Sequence, residues 1–144
     1  MENNQFSAAW AKSNALYARA ACALQVGYPE MMVLYALETI GRQTQKQIAA
    51  SFGMQKQTVH TVVSALSRQG YLRLEAGRED KREKWVILTE SGQVYARQVI
   101  APLRRAEEKT YQAIGSERMQ AMCETLELFN LLFEKTLNGG LDDE

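Results

Sequence analysis

The chain has 144 residues, of which 46% are hydrophobic and 24% charged, and these values suit one globular domain with a single core. No apolar run approaches the ~20 residues that a membrane-spanning helix needs, and the N-terminus lacks the basic lead and apolar block of a secretory signal. The formal net charge is zero, yet residues 42–84 hold nine basic and four acidic side chains whereas the remainder holds eight and thirteen, so the centre of the chain has a basic local field.

Apolar or small side chains recur every three or four positions from residue 6 to residue 24, and this spacing predicts one face of a first helix. Gly27 should end that helix. Pro29 suits the first position of a second helix because its missing N–H is not needed there, and Gly41 suits the left-handed position after that helix. The side chains predicted to be buried on the second helix are Met32, Val33, Ala36, Leu37 and Ile40.

Thr44 and Gln47 have the spacing of a capping box and predict the start of a third helix. Gly53 then supplies a tight turn, and a fourth helix is predicted from about Gln55 to Gln69. The predicted apolar face of the third helix consists of Ile48, Ala49 and Phe52, and that of the fourth consists of Val59, Val62, Val63 and Leu66.

After Gly70, two short apolar runs predict a β-hairpin. Its first strand begins at Tyr71, Leu72 and Leu74, its second covers residues 85–88, and the charged segment 77–84 is the loop between them. Such a hairpin is marginal alone and must pack against the helices.

Two long helices complete the predicted order. Thr89 should cap a fifth helix that reaches about Ala113 and is bent or loosened at Pro102, and Gly115–Ser116 should break the chain and cap a sixth. The predicted apolar face of the fifth consists of Val94, Tyr95, Ile100, Leu103, Ala106, Thr110 and Ala113. That of the sixth consists of Met119, Met122, Cys123, Leu126, Phe129, Leu132, Phe133 and Leu137.

The first and last helices have wide apolar faces, and so small a chain offers no third layer to cover them. A symmetric homodimer would supply it; the alternative is that these helices pack only on each other and on the fifth helix. The predicted organisation is an N-terminal dimerisation helix over 1–28 and a winged helix-turn-helix lobe over 29–92. Linker and dimerisation helices follow over 93–138, and residues 139–144 form a flexible tail.

The fourth helix carries the strongest functional signal. If its apolar face is buried, the opposite face presents amide, hydroxyl and basic groups, and no acid occurs between Ser51 and Leu74. Such groups hydrogen-bond base edges or phosphates, although a merely solvated helix face is the alternative interpretation. The predicted DNA-binding residues on this helix are Gln55, Lys56, Gln57, Thr58, His60, Thr61 and Ser64.

The hairpin loop is the second candidate DNA contact. Its cationic residues are Arg78, Lys81, Arg82 and Lys84. An arginine at a hairpin tip suits the narrow minor groove of A·T-rich DNA, while Asp80 can pair with a nearby arginine and hold the shape of the loop. The alternative is a tip that is charged only for solubility.

Residues for other functions are sparse. His60 is the only histidine and has no nearby cysteine in the sequence, so neither a catalytic triad nor a metal site is predicted, and no cofactor.

The distant Cys22 and Cys123 indicate free thiols in a reducing cytoplasm, although a long-range disulfide bridge remains an alternative. Cys22 is interpreted as a buried inert thiol rather than a peroxide sensor, and Cys123 as core or interface filler. Four aromatic residues could line a pocket for an aromatic ligand, although such residues more often form plain core: Trp10, Tyr17, Tyr28 and Tyr35.

Asp80-x-Arg82, five residues, then Leu88-Thr89-x-x-Gly92 resembles the wing signature of the MarR-type (multiple antibiotic resistance) transcriptional regulators. The segment 48–72 resembles that family's helix-turn-helix, in which Thr58-Val59 opens the recognition helix. The resemblance covers nearly the whole chain. It implies a homodimer held by the terminal helices that binds pseudo-palindromic operators, usually as a repressor. It also implies that DNA is often released when a small molecule occupies a cleft between the dimer core and the DNA-binding lobe.

By position, the resemblance implies that Gln57, Thr58, Thr61 and Ser64 read the major groove and that Arg82 enters the minor groove. The chain departs from the family pattern in three places: Gln55 replaces the usual capping Asp or Ser, and Thr61 and Ala65 replace frequent arginines. A competing class is a winged-helix protein-interaction scaffold, which would carry acidic or apolar side chains on the recognition face. An enzyme would need clustered acid, base and nucleophile, which the sequence does not assemble.

Overall fold

The computed structural model describes residues 3–139, which form six helices and three short strands. In chain order these are α1 (Asn3–Ala23), α2 (Tyr28–Thr39), β1 (Gln43–Thr44), α3 (Gln45–Phe52), α4 (Lys56–Arg68), β2 (Leu72–Ala76), β3 (Lys84–Leu88), α5 (Glu90–Ile114) and α6 (Ser116–Asn138). This mainly helical fold with a hairpin wing confirms the predicted fold class. The chain divides into two compact units, of which the first ends at Leu103 and the second begins at Arg104.

No single helix among the described residues is long and apolar enough to cross a membrane. Only α1 and α2 taken together reach the required length and apolar composition, and they are bent by 95° to one another.

The end of α1 differs from the prediction that Gly27 would stop it. The helix ends at Ala23, where Gln25 adopts the left-handed conformation with φ of 59° and the Val26 N–H donates to the Ala21 carbonyl at 3.1 Å. Gly27 has extended backbone and is the N-cap of α2, with Pro29 in its first turn as predicted. A hydrogen-bonded turn therefore closes α1 before the glycine is reached.

The α2 helix is buried on more sides than an amphipathic pattern predicts. It contacts α1, α3 and α4, so Met31 and Leu34 are fully buried in addition to the predicted Val33, Ala36 and Leu37. The prediction for Ile40 was wrong: this residue follows the last helical turn and is 63% exposed. Met32 is half-buried.

The helix-turn-helix forms as its caps predict. The Gln47 N–H donates to Thr44 Oγ1 at 3.2 Å, and the Thr44 N–H donates to Gln47 Oε1 at 3.0 Å, which closes the capping box at the start of α3. Gly53 ends that helix in the left-handed conformation with φ of 60°. In α4 the core side chains are Val59, Val63 and Leu66, while Val62 is half-buried.

The sheet has one strand more than predicted. Its order is β1–β3–β2 and all pairs are antiparallel, with Gln43 opposite Val86 and Leu72 opposite Leu88. A two-residue strand is too short to show an alternating pattern in sequence. Its place is marked instead by the buried Gln43 side chain, which donates from Nε2 to the Ala36 carbonyl at 3.2 Å.

In the first unit, α5 buries Gly92, Ala96, Ile100 and Leu103. The prediction that Val94 lies on the buried face was wrong, since Val94 is 53% exposed. It lies two residues from both Gly92 and Ala96, which places it on the opposite side of the helix. Thr89 precedes the helix and accepts the Gly92 N–H at Oγ1, 3.0 Å away. The helix continues through Pro102.

The second unit contains the end of α5 and all of α6. Gly115 separates them with φ of 94°, so the chain breaks at Gly115–Ser116 as predicted; Gly115 is the N-cap of α6 and Ser116 its first helical residue. No residue of α6 is buried in the single chain. Most of its predicted apolar face is exposed, with only Met119 and Leu126 half-buried. Residues 140–144, which hold most of the predicted flexible tail, lie outside the described part.

Both thiols are free and exposed in the single chain. The interpretation of Cys22 as a buried thiol was therefore wrong. Its neighbour Ala21 takes the core-facing position on α1 and is only 2% exposed, which turns Cys22 about 100° away around the helix.

Candidate nucleic-acid interface

The outward face of α4 is polar and free of acids. Lys56, Gln57, His60 and Thr61 are exposed on it, whereas Thr58 and Ser64 are half-buried. The helix sequence from residue 56 to residue 68 contains no carboxylate. Since α4 buries Val59 and Val63 against the core, its outer side is held in place while its polar groups remain open to a large ligand.

The start of α4 is suited to bind an anion. Gln55 is its N-cap with extended backbone, and in the described chain the Gln55 side chain makes no capping hydrogen bond. Backbone N–H groups in the first turn of a helix need an acceptor and carry the positive end of the helix dipole. A phosphate oxygen at this position would satisfy them, with the exposed Lys56 beside it.

Two polar side chains of this face are held in defined orientations. Thr61 Oγ1 donates to the Gln57 carbonyl at 2.9 Å, which leaves its methyl group and oxygen lone pairs for contact. His60 Nδ1 lies 3.2 Å from Oε1 of Gln45. The sequence did not predict Gln45, because the two residues lie in different helices and no spacing rule joins them.

The wing is built around Asp80. Its carboxylate Oδ1 accepts from both the backbone N–H and the Nε of Arg82, at 3.0 and 3.2 Å. Its carbonyl accepts the Glu83 N–H at 3.1 Å, and the Glu83 carbonyl accepts the Gly77 N–H at 2.9 Å. The loop is therefore closed by its own backbone, and the aspartate sets the direction of the arginine.

Arg82 remains almost fully exposed to solvent although it pairs with Asp80: its side chain is 93% exposed. The other three cationic residues of the wing, Arg78, Lys81 and Lys84, are also exposed. Glu79 and Glu83 share the tip, so the wing has only a small excess of positive charge.

The wing and α4 are tied together at one junction. Thr89 Oγ1 donates to the Gly70 carbonyl at 2.7 Å, and Ser91 Oγ donates to the same oxygen at 3.2 Å. The Thr89 N–H donates to the Tyr71 carbonyl at 3.0 Å. These contacts join the end of α4, the start of β2 and the start of α5, and they give Thr89 and Gly92 of the wing signature a structural role.

A further basic residue reaches the sheet from outside the predicted site. The Arg42 guanidinium lies 4.9 Å from the centroid of the Trp85 ring. Because Trp85 is opposite Thr44 in the β1–β3 pair, this cation–π contact fixes the segment before α3 against the strand that leads out of the wing.

The candidate ligand-cleft residues lie on α1 and α2 and differ in their exposure. Trp10 is 49% exposed and stacks on Phe6 of the same helix, with ring centroids 6.2 Å apart. Tyr17 and Tyr35 are half-buried and pack against the core, and Tyr35 meets Phe52 edge-on at 6.4 Å. The described residues contain no cluster of three His, Cys, Asp or Glu side chains that could hold a metal ion.

Both the family model and a curated relative that match this sequence are transcriptional regulators. Residues 24–83 match the model of the MarR family. The chain is 31% identical over 97 residues to YwoH of Bacillus subtilis, an uncharacterized helix-turn-helix-type transcriptional regulator, and the match covers 67% of this chain and 70% of YwoH.

Solved structures of the same fold point to the same family. A MarR family regulator from Neisseria meningitidis superposes with a TM-score of 0.85 at 26% identity, covering 96% of this chain and 98% of its own. BpsR of Bordetella bronchiseptica, whose DNA binding is regulated by 6-hydroxynicotinic acid, shares the fold with a TM-score of 0.66 at 16% identity. The match covers 90% of this chain and 93% of BpsR. These relatives are described as regulators rather than enzymes. The chain belongs to the MarR family of DNA-binding winged helix-turn-helix transcriptional regulators.

Proposed function

We propose that the protein is a homodimeric repressor that binds a pseudo-palindromic operator in the cytoplasm. The proposal is supported by two exposed features that occur together in one chain. They are the acid-free outer face of α4 and Arg82 of the wing, which is exposed and oriented by Asp80. A helix can enter the major groove while a cationic hairpin reaches the adjacent minor groove.

Each part of the interface has a proposed task. The uncapped start of α4 and Lys56 bind the phosphate backbone, which sets register and orientation without reading sequence. Gln57, Thr61 and His60 contact base edges, supported by the half-buried Thr58 and Ser64 at the margin of the face. Arg82 enters the minor groove, and the remaining wing cations contact phosphates.

A dimer is supported by apolar surface that the single chain leaves uncovered. Phe6, Trp10 and Leu16 are 40–49% exposed on α1. On α6 the large exposed apolar side chains are Met122, Leu128, Phe129, Leu131, Leu132, Phe133 and Leu137. Large apolar side chains exposed together on α1 and on α6 support a protein–protein interface there. We propose that segments 1–28 and 93–138 dimerise and that 29–92 is the DNA-binding lobe, so that two α4 helices meet major grooves about 34 Å apart.

Control by a small aromatic ligand is part of the proposal. BpsR, which shares the fold, responds to 6-hydroxynicotinic acid. In this chain Tyr17 and Tyr35 offer half-buried rings with polar hydroxyl ends next to the core, and Trp10 offers a half-exposed ring. Rings of this kind pack against a planar ligand and orient its polar substituents.

The direct test is a fluorescence-anisotropy titration of labelled duplexes at several salt concentrations, combined with light scattering. We expect one dimer per bound operator and a fall of affinity with salt whose log–log slope is steeper than about −4, because several phosphates are neutralised per dimer. A slope near zero, or no binding to any duplex of a random library, would favour the alternative of a winged-helix scaffold that binds protein.

A further inference from the structure

We infer that Gln45 is a positioning residue for DNA recognition: it holds the His60 ring in one tautomer and thereby decides which base edge that ring accepts. This inference rests on the proposed function and deepens it. It starts from the 3.2 Å contact between Gln45 Oε1 and His60 Nδ1, which joins α3 to α4 on the exposed side of the helix-turn-helix.

The polarity of this contact follows from the placement of the Gln45 amide, whose Oε1 faces the ring. An amide oxygen accepts hydrogen bonds and donates none, so the proton between the two residues belongs to Nδ1. A neutral imidazole with its proton on Nδ1 has a bare lone pair on Nε2. The outer nitrogen of His60 is then an acceptor, whereas an unpaired imidazole prefers the opposite tautomer and would present a donor.

Both partners are held by the fold. Gln45 is the first residue of α3, whose start is fixed by the reciprocal Thr44–Gln47 capping bonds. His60 follows the fully buried Val59 on α4. The charged residues closest along these two helices are Lys46 and Lys56, and neither helix contains a carboxylate that would compete for the Nδ1 proton.

An acceptor nitrogen at His60 Nε2 matches only bases that present a donor in the major groove. It pairs with the N6 amino group of adenine or the N4 amino group of cytosine, and it is mismatched with the O6 and N7 acceptors of guanine. We therefore expect one position in each operator half-site to select adenine or cytosine on the strand facing His60.

The first experiment needs no DNA. Because His60 is the only histidine, ¹⁵N-histidine labelling of the full chain yields one pair of ring-nitrogen signals, recorded in mildly alkaline buffer. We expect the pyrrole-type signal on Nδ1 in the wild type, and a shift toward Nε2–H in Gln45→Ala. Gln93→Ala, an exposed glutamine change on α5, is the control and should leave the signals unchanged. A wild-type ring protonated on Nε2 would overturn the inference.

The second experiment reads base preference by selection from a random duplex library. His60→Ala and Gln45→Ala should each lower the preference at the same half-site position by about fivefold, the size expected for one hydrogen bond. The double variant should lose no more than either single one. If both single variants keep the wild-type preference, the positioning role is refuted. If the wild type itself binds no duplex while the tautomer is as expected, the proposed function has failed instead, and the recognition role fails with it.

Discussion

The carbonyl oxygen of Tyr71 lies where a side chain on Gly92 would begin: a β-carbon built on Gly92 would be 1.9 Å from that oxygen and 2.8 Å from the carbonyl carbon. The first turn of α5 therefore passes directly over the backbone at the start of β2. The reason for glycine is this close approach rather than an unusual backbone angle. The same Tyr71 carbonyl accepts the Thr89 N–H, so the junction between α4, the wing and α5 depends on this contact.

Gly92→Ala should destabilise the protein by about 2–4 kcal/mol, because the backbone of Tyr71 cannot move aside without breaking the junction. Urea denaturation followed by circular dichroism measures this change. Gly27→Ala is the control: its β-carbon would meet only Pro29 Cδ at 3.9 Å, and since Gly27 is the N-cap of α2, the expected loss is limited to a capping effect below about 1 kcal/mol. Equal stability of the two variants would show that the junction is not tight in solution.

Local signals along the chain made most of the architecture predictable. The Thr44–Gln47 capping box, the left-handed Gly53 and the apolar face of α4 depend on neighbours within a few residues, and such signals can be read from sequence. The wing signature could also be recognised, and the family assignment made from it was confirmed.

Features that depend on distant contacts were missed. The approach of Gly92 to Tyr71 and the contact of Gln45 with His60 each join segments that no periodicity relates. Burial at Ile40 and Val94 was predicted from apolarity, yet both side chains are exposed, because helix ends and helix phase are decided by packing against other elements.

The second prediction concerns the wing. Arg82→Ala should weaken binding to operators with A·T-rich flanks by about tenfold or more and should affect G·C-rich flanks less, since a narrow minor groove concentrates negative potential. Anisotropy titrations on duplexes that differ only in their flanks measure the affinity for each. Arg118→Ala removes the same charge from α6 and serves as the control. An equal loss on all flanks would make Arg82 a plain phosphate contact.

Asp80→Ala tests the orientation of the arginine separately. It removes the acceptor of both Arg82 bonds but also a negative charge near DNA, so a pure charge effect would strengthen binding. We expect weaker binding, by about threefold to tenfold, with little change in folding stability because an exposed ion pair contributes only about 0–1 kcal/mol. Tighter binding by this variant would contradict an orienting role.

Another prediction concerns assembly. Leu132→Glu introduces a charge on the exposed apolar side of α6, where Leu132 is 55% exposed in the single chain, and we expect it to convert dimers to monomers at micromolar concentration. Light scattering measures the mass, and DNA affinity should fall with it. Asn138→Glu adds the same charge at an exposed position whose neighbours one turn away are Lys135 and Glu134, and this variant should remain dimeric. A monomeric wild type would exclude the proposed assembly.

The last prediction concerns Tyr95, which links α5 to α2. Its hydroxyl donates to Glu30 Oε1 at 2.7 Å, and its ring stacks on Tyr71 with centroids 4.3 Å apart. Burial, followed by the hydrogen bond to Glu30 and the negative charge of that residue, raises the pKa of Tyr95 from 10.0 to about 12. Because the folded pKa is raised, the stabilisation is complete below about pH 10 and is lost as the pH rises toward 12.

Tyr95→Phe should therefore lower the free energy of unfolding at neutral pH by about 1–2 kcal/mol, and the difference from the wild type should shrink between pH 10 and about 12. Urea denaturation across this range measures it, and ultraviolet absorbance should show one tyrosine of the wild type ionising later than the others. Tyr28→Phe, at a residue that is 38% exposed, is the control and should follow the wild type at every pH. If the two variants behaved alike, the hydroxyl of Tyr95 would contribute nothing to holding α5 against α2, and the stacked ring alone would account for the contact.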